Sequence, residues 1–116
     1  MTPYDCAAVI DELRPESGEY VVDKYGYDAF SGTPLLHLLD AENVDTVVIA
    51  GTVTQICVDE TARGAFSAGI KALTVSDAVS SFAPDLHEAT LKNLAMKFGR
   101  VAEMAQVLDE LKRGSR

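Results

Sequence analysis

The run Thr46-Val47-Val48-Ile49-Ala50 is β-branched and apolar throughout, with no polar alternation. A strand of this kind is covered on both faces, which points to a parallel sheet between helices. The next segment, Gly51-Thr52-Val53-Thr54-Gln55-Ile56-Cys57-Val58, leads into a predicted helix from Cys57 to Gly69. Within it Ala62, Ala65 and Phe66 recur at spacings of three and four, and Gly69 fits its C-terminal stop.

The rest of the chain alternates in the same way. Ala7 to Leu13 reads as a short helix ended near Pro15, and Tyr20-Val21-Val22-Asp23 as a short strand ending at Lys24. A loop with Tyr25, Tyr27 and Phe30 follows. Thr33-Pro34 then suits a helix start, with helix from Leu35 to Glu42. Lys71 to Ser76 is the next predicted strand, with Asp77 at its carboxyl end. Pro84 opens a long helix carrying Leu86, Leu91, Leu94, Ala95 and Phe98 on one side and ending at Gly99. Arg100 to Ala102 reads as an edge strand and Met104 to Lys112 as a terminal helix. Strand–helix alternation with buried strands defines an α/β fold with a parallel sheet in one domain, residues 1–116.

In such sheets ligands bind beyond the carboxyl ends of the strands. Lys24, the segment Gly51 to Cys57, and Asp77 all fall at predicted strand exits. Cys57 stands where a strand turns into a helix, so backbone N–H groups and the helix dipole favour its thiolate. A free cysteine has a pKa of about 8.5, so a nearby ammonium would assist.

Several classes are disfavoured. The net charge of −8 argues against nucleic acid or an anionic membrane as the main partner. The two cysteines, Cys6 and Cys57, make no disulfide framework and no metal-binding spacing, so neither metal nor cofactor is expected. No apolar run reaches the ~18 residues of a membrane span, and the first residues do not resemble a signal peptide. A reducing cytoplasm is the expected compartment. The segment lacks the glycine spacing of nucleotide-binding loops.

Five stretches together resemble the isochorismatase-like cysteine hydrolases. They are Val22-Asp23-Lys24, Tyr27 to Thr33, Val48 to Val58 with Thr61-Ala62, and the later Val75-Ser76-Asp77-Ala78 and Leu86-His87-Glu88-Ala89. The resemblance covers roughly Ala7 to Leu111. It implies a three-layer αβα Rossmann-like sandwich and an Asp–Lys–Cys triad, with Lys24 and Cys57 matching the lysine and the nucleophile. It also implies a cis peptide at Val53–Thr54 and an oxyanion hole from the N–H groups of Thr54 and Cys57. The chemistry implied is hydrolysis of a small amide: the thiolate attacks the carbonyl, ammonia leaves, and water releases the acid from a thioester. A cysteine at position 57 favours amidases over true isochorismatases, which act on a vinyl ether.

The family's aspartate lies on a first strand with no counterpart in this sequence, so the domain is expected to be N-terminally incomplete. Asp77 is either a substitute base or a brace at its strand end. Tyr27 and Phe30 either line a substrate pocket or cover the sheet. His37 and His87 are read as solvent-facing or interface residues, and Cys6 as core filler. Open strand edges would favour a homo-oligomer. The alternatives to an amidase are a non-catalytic remnant that oligomerises or binds, and a small flavodoxin-like binding domain.

Overall fold

The computed structural model describes residues 9–114. Three parallel strands, β1 (Thr46–Thr52), β2 (Lys71–Ser80) and β3 (Arg100–Ala102), form a sheet in the order β1-β2-β3. The helices are α1 (Leu35–Ala41), α2 (Asp59–Ser67), α3 (Pro84–Asn93) and α4 (Met104–Gly114). A π-helical turn, Thr54–Val58, precedes α2, and a second, Leu94–Phe98, extends α3.

Side-chain alternation along β2 builds the layers. Leu73 and Val75 pack with Ala102 and with Val107 of α4 in one cluster. Ala72 belongs to the other cluster, with Ile49, Ala62 and Ala65 of α2, and Leu91 and Leu94 of the α3 segment. Successive strand residues face opposite ways, so one strand serves both layers. The parallel sheet with helices on both sides is the expected αβα arrangement. Ala62 and Ala65 have no exposed surface, as their spacing predicts. Leu91 and Leu94 are buried, whereas Leu86 is half exposed and Ala95 exposed.

Four expectations about the elements are corrected. Tyr20 to Asp23 forms no strand: among the described residues no strand lies alongside to complete a ladder, and Tyr20 and Val21 are exposed. The Tyr20 hydroxyl instead donates to Glu42 at 2.8 Å, and this bond raises its pKa above the ordinary tyrosine value. The Ala7–Leu13 helix reduces to a 3₁₀ turn, Asp11–Leu13, its first residues and Cys6 lying outside the described region. Strand β2 runs on to Ser80 because its pairing with β1 slips, from Ile49↔Thr74 to Gly51↔Val79. The extra residues bulge from the ladder and carry Asp77 with them. The helix after β1 begins at the π turn, before Cys57, so the cysteine sits inside the first turns.

Arg100 of β3 grips Glu110 of α4 with two bonds, Nη1 to Oε1 at 2.9 Å and Nη2 to Oε2 at 3.0 Å. Those bonds hold the Glu110 carboxyl below its ordinary pKa. A depressed folded pKa means the contribution is present above the unfolded value, about 4.3, and is lost as pH falls through the folded one. Glu110→Gln is therefore expected to lower Tm slightly at pH 7 and not at pH 2.5, the pair being at the surface. Melting curves at the two pH values check this; an equal drop at both would contradict it.

Candidate active site

The carboxyl end of β1 opens on a cavity of about 210 Å³ lined by Lys24, Ala29, Ile49, Ala50, Thr52, Cys57, Val58 and Thr61. Lys24 and Cys57, 33 positions apart in sequence, thus meet on one cavity. The cavity lies at the end of the sheet where parallel α/β folds bind ligands. Cys57 is a half-buried free thiol.

The turn that carries Cys57 is held from several directions. The Val53 carbonyl accepts the N–H groups of Ile56 at 3.0 Å and Val58 at 3.2 Å. The Thr54 carbonyl accepts the Asp59 N–H. Thr54 itself is fully buried, and its Oγ1 lies 2.8 Å from Nδ1 of His87 on α3. π turns of this type recur at functional sites because they re-aim a side chain within a helix. Gly51, at φ +123°, occupies a backbone region that suits glycine, just where the β1–β2 register slips.

The loop bearing Lys24 is fastened to α2 by Thr61. The Thr61 hydroxyl accepts the Ala29 N–H at 3.0 Å and donates to the Tyr27 carbonyl at 3.3 Å. The Asp28 carboxylate accepts the Phe30 N–H at 2.8 Å, tightening the same loop. The Lys24 ammonium donates to the Gly26 carbonyl at 2.9 Å. Thr61 stands four residues after Cys57, a spacing that places both on one helix face. That spacing was the available signal for Thr61.

Other expectations are revised. The cis peptide lies at Thr52–Val53, one bond before the expected Val53–Thr54: Val53 is still extended and Thr54 already opens the π turn. Thr54 does not line the cavity, being enclosed with its hydroxyl turned to His87, whereas Cys57 does line it. Tyr27 is exposed and meets the site only through its carbonyl. Phe30 packs against the core cluster and borders a separate depression with Leu36 and Arg63. Of the two readings for Phe30, coverage of the fold is the one the packing supports. Asp77 is a brace: its Oδ1 accepts the Met104 N–H at 2.7 Å, at the start of α4. His87, expected to be solvent-facing or at an interface, is part-buried with its Nδ1 against Thr54 Oγ1. The clue was its spacing from Leu91 and Leu94, i, i+4 and i+7 on one helix face.

Among the described residues no group of three or more His, Cys, Asp or Glu side chains is placed to hold a metal ion, and no helix is long and apolar enough to cross a membrane.

The same αβα arrangement is found in solved hydrolase structures. Residues 4–106 match the Isochorismatase domain, and the chain belongs to that family. It is 36% identical over 110 residues to the isochorismatase family protein YwoC of Bacillus subtilis, covering 95% of this chain and 58% of that protein. It is 37% identical to the ureidoacrylate amidohydrolase RutB of Methylobacterium radiotolerans, covering 84% of this chain and 38% of that protein. A cysteine hydrolase from Pseudomonas syringae superposes with a TM-score of 0.86 at 32% identity, covering 90% of this chain and 55% of that one. The chain thus spans about half the length of the relatives it matches. Hydrolases that act on amides are among these relatives, which supports a hydrolase role for the fold.

Proposed function

We propose that the chain carries the cysteine–lysine part of an amidohydrolase site and takes a small amide as substrate. Cys57 is the nucleophile, its sulfur attacking the amide carbonyl. The C–N bond then breaks, the nitrogen leaves as ammonia with the proton given up by the Cys57 thiol, and water cleaves the thioester to the acid and restores the thiol. Lys24 stabilises the thiolate, and the Cys57 N–H helps hold the developing oxyanion. The observation that carries this reading is the shared cavity of Lys24 and Cys57 at the carboxyl end of β1. The small volume, about 210 Å³, and the Ala29, Ile49 and Ala50 lining suit a compact acyl group.

Release of ammonia or acid from ureidoacrylate tests the reading, since that substrate class is named for a relative. Lys24→Met is expected to lower kcat by about tenfold or more at pH 7, and less at pH 9, where a thiol ionises unaided. An equal loss at both pH values would remove Lys24 from this role.

A second reading, a non-catalytic module that pairs with another chain, is favoured by the edge of the sheet. Strand β1 has β2 as its one neighbour among the described residues, and Val48 is 48% exposed. An unpaired edge with apolar surface invites a further strand, and a homo-oligomer is the expected product. Light scattering after size exclusion tests it: a monomer that melts cooperatively would exclude this assembly.

A further inference from the structure

We propose that His87 is a positioning residue for the nucleophile turn, holding the buried Thr54 hydroxyl and through it the aim of Cys57. The inference rests on the reading of Cys57 as nucleophile, but concerns a residue outside the cavity.

Thr54 has no exposed surface, so its hydroxyl must find a partner inside the protein. A threonine within a helix ordinarily turns to the carbonyl four residues back. Thr54 opens its turn, and the residues before it are extended, so that carbonyl is out of helical position. His87 Nδ1, at 2.8 Å, takes its place. The other bonds that hold the turn run between backbone groups of residues 53 to 59. Among the described residues, the Thr54–His87 bond is a side-chain hydrogen bond that ties the turn to α3.

The ring is itself well placed for this task. The backbone N–H of His87 is bonded to the Ala83 carbonyl at 3.0 Å, which fixes it in the first turn of α3. Leu91 and Leu94, on the same face, are buried against the core cluster. The hydrophobic anchoring of α3 therefore sets the imidazole, the imidazole sets Thr54, and Thr54 starts the turn that presents Cys57 three residues later. A hydroxyl can donate to a bare ring nitrogen or accept from a protonated one, so the pairing suits either form of the ring.

The experiment follows Cys57 alkylation by iodoacetamide at pH 7, in a Cys6→Ser background so that one thiol reports, together with kcat and KM for ureidoacrylate. His87→Ala and Thr54→Val are each expected to slow alkylation about tenfold, as loss of one buried hydrogen bond does when it supports the reactive geometry. The double variant should be no slower than either single one, because both remove the same bond. His87→Asn, whose side-chain amide reaches the place of Nδ1, should recover most of the rate. Where hydrolysis is measured, kcat should fall with KM nearly unchanged. Alkylation of His87→Ala within twofold of the parent, or faster, overturns the proposal. So does a double variant whose losses multiply, or a His87→Asn variant that recovers nothing. If His87→Ala does not fold, Thr54→Val decides alone by the same criterion. Failure of the catalytic reading is distinct: Cys57→Ala would then leave hydrolysis unchanged, while alkylation of the parent would still report the turn.

Discussion

Cys57→Ala is expected to lower the rate of ureidoacrylate hydrolysis by about 10³-fold or more, with little change in thermal stability. Removing a nucleophile takes away the covalent path, and what remains is the modest catalysis of binding and oxyanion stabilisation. The structural cost is small because Cys57 is half-buried in a turn whose hydrogen bonds come from Val53, Thr54 and His87. Substitutions without a cavity, an orphaned polar group or backbone strain usually change stability by about 1 kcal/mol or less. The measurement is ammonia release beside a melting curve. Loss of activity with a preserved melt supports the nucleophile; unchanged hydrolysis removes it. A parent chain that alkylates at Cys57 yet hydrolyses nothing favours the non-catalytic, strand-pairing reading.

Gly99→Ala is expected to be the most destabilising small substitution in the fold, by about 3 kcal/mol or more. Gly99 has φ +138° and ψ −163°, a region essentially closed to residues with a side chain, and occupying it costs about 1–3 kcal/mol. A Cβ there would also strike the Ala72 carbonyl oxygen and approach its carbon at 3.2 Å. Ala72 lies in the central strand and is itself buried in the core, so its backbone has little freedom to withdraw. For a domain of this size each kcal/mol lowers Tm by roughly 4–8 °C, so a fall of about 12 °C or more is expected. A fall of less than about 4 °C would show that the turn between α3 and β3 relaxes freely. The two substitutions separate chemistry from fold: one spends its effect on rate, the other on stability.

How much of this was legible in the residues depended on the range of the interaction. The run Thr46–Ala50 became β1 because β-branched side chains favour an extended backbone, although in the sheet Ile49 is buried while Val48 stays half exposed. Ala62 and Ala65 became the core face of α2 through helical spacing alone. Arg100–Ala102 and Met104 onward were read at nearly the right bounds for the same reason. Tyr20–Asp23 looked equally strand-like and formed no strand, since a strand exists only beside a partner. Asp77 looked like the end of β2 and is a bulge tied to α4, because the slip in pairing depends on β1.

The sequence by itself determined the α/β layering and the strand-to-helix turn that carries Cys57, because periodicity and turn chemistry act over a few neighbouring residues; Lys24 as its expected partner came from the family resemblance. Tertiary structure alone decided that Lys24 and Cys57 share one cavity, that Thr61 clamps the lysine loop, and that Phe30 belongs to the core. It also decided that His87, read from the sequence as solvent-facing or an interface residue, lies against the Thr54 hydroxyl 33 positions away. The physical reason is common to all of these: a hydrogen bond or a cavity wall between distant segments is set by how the layers pack, and no local pattern encodes that distance.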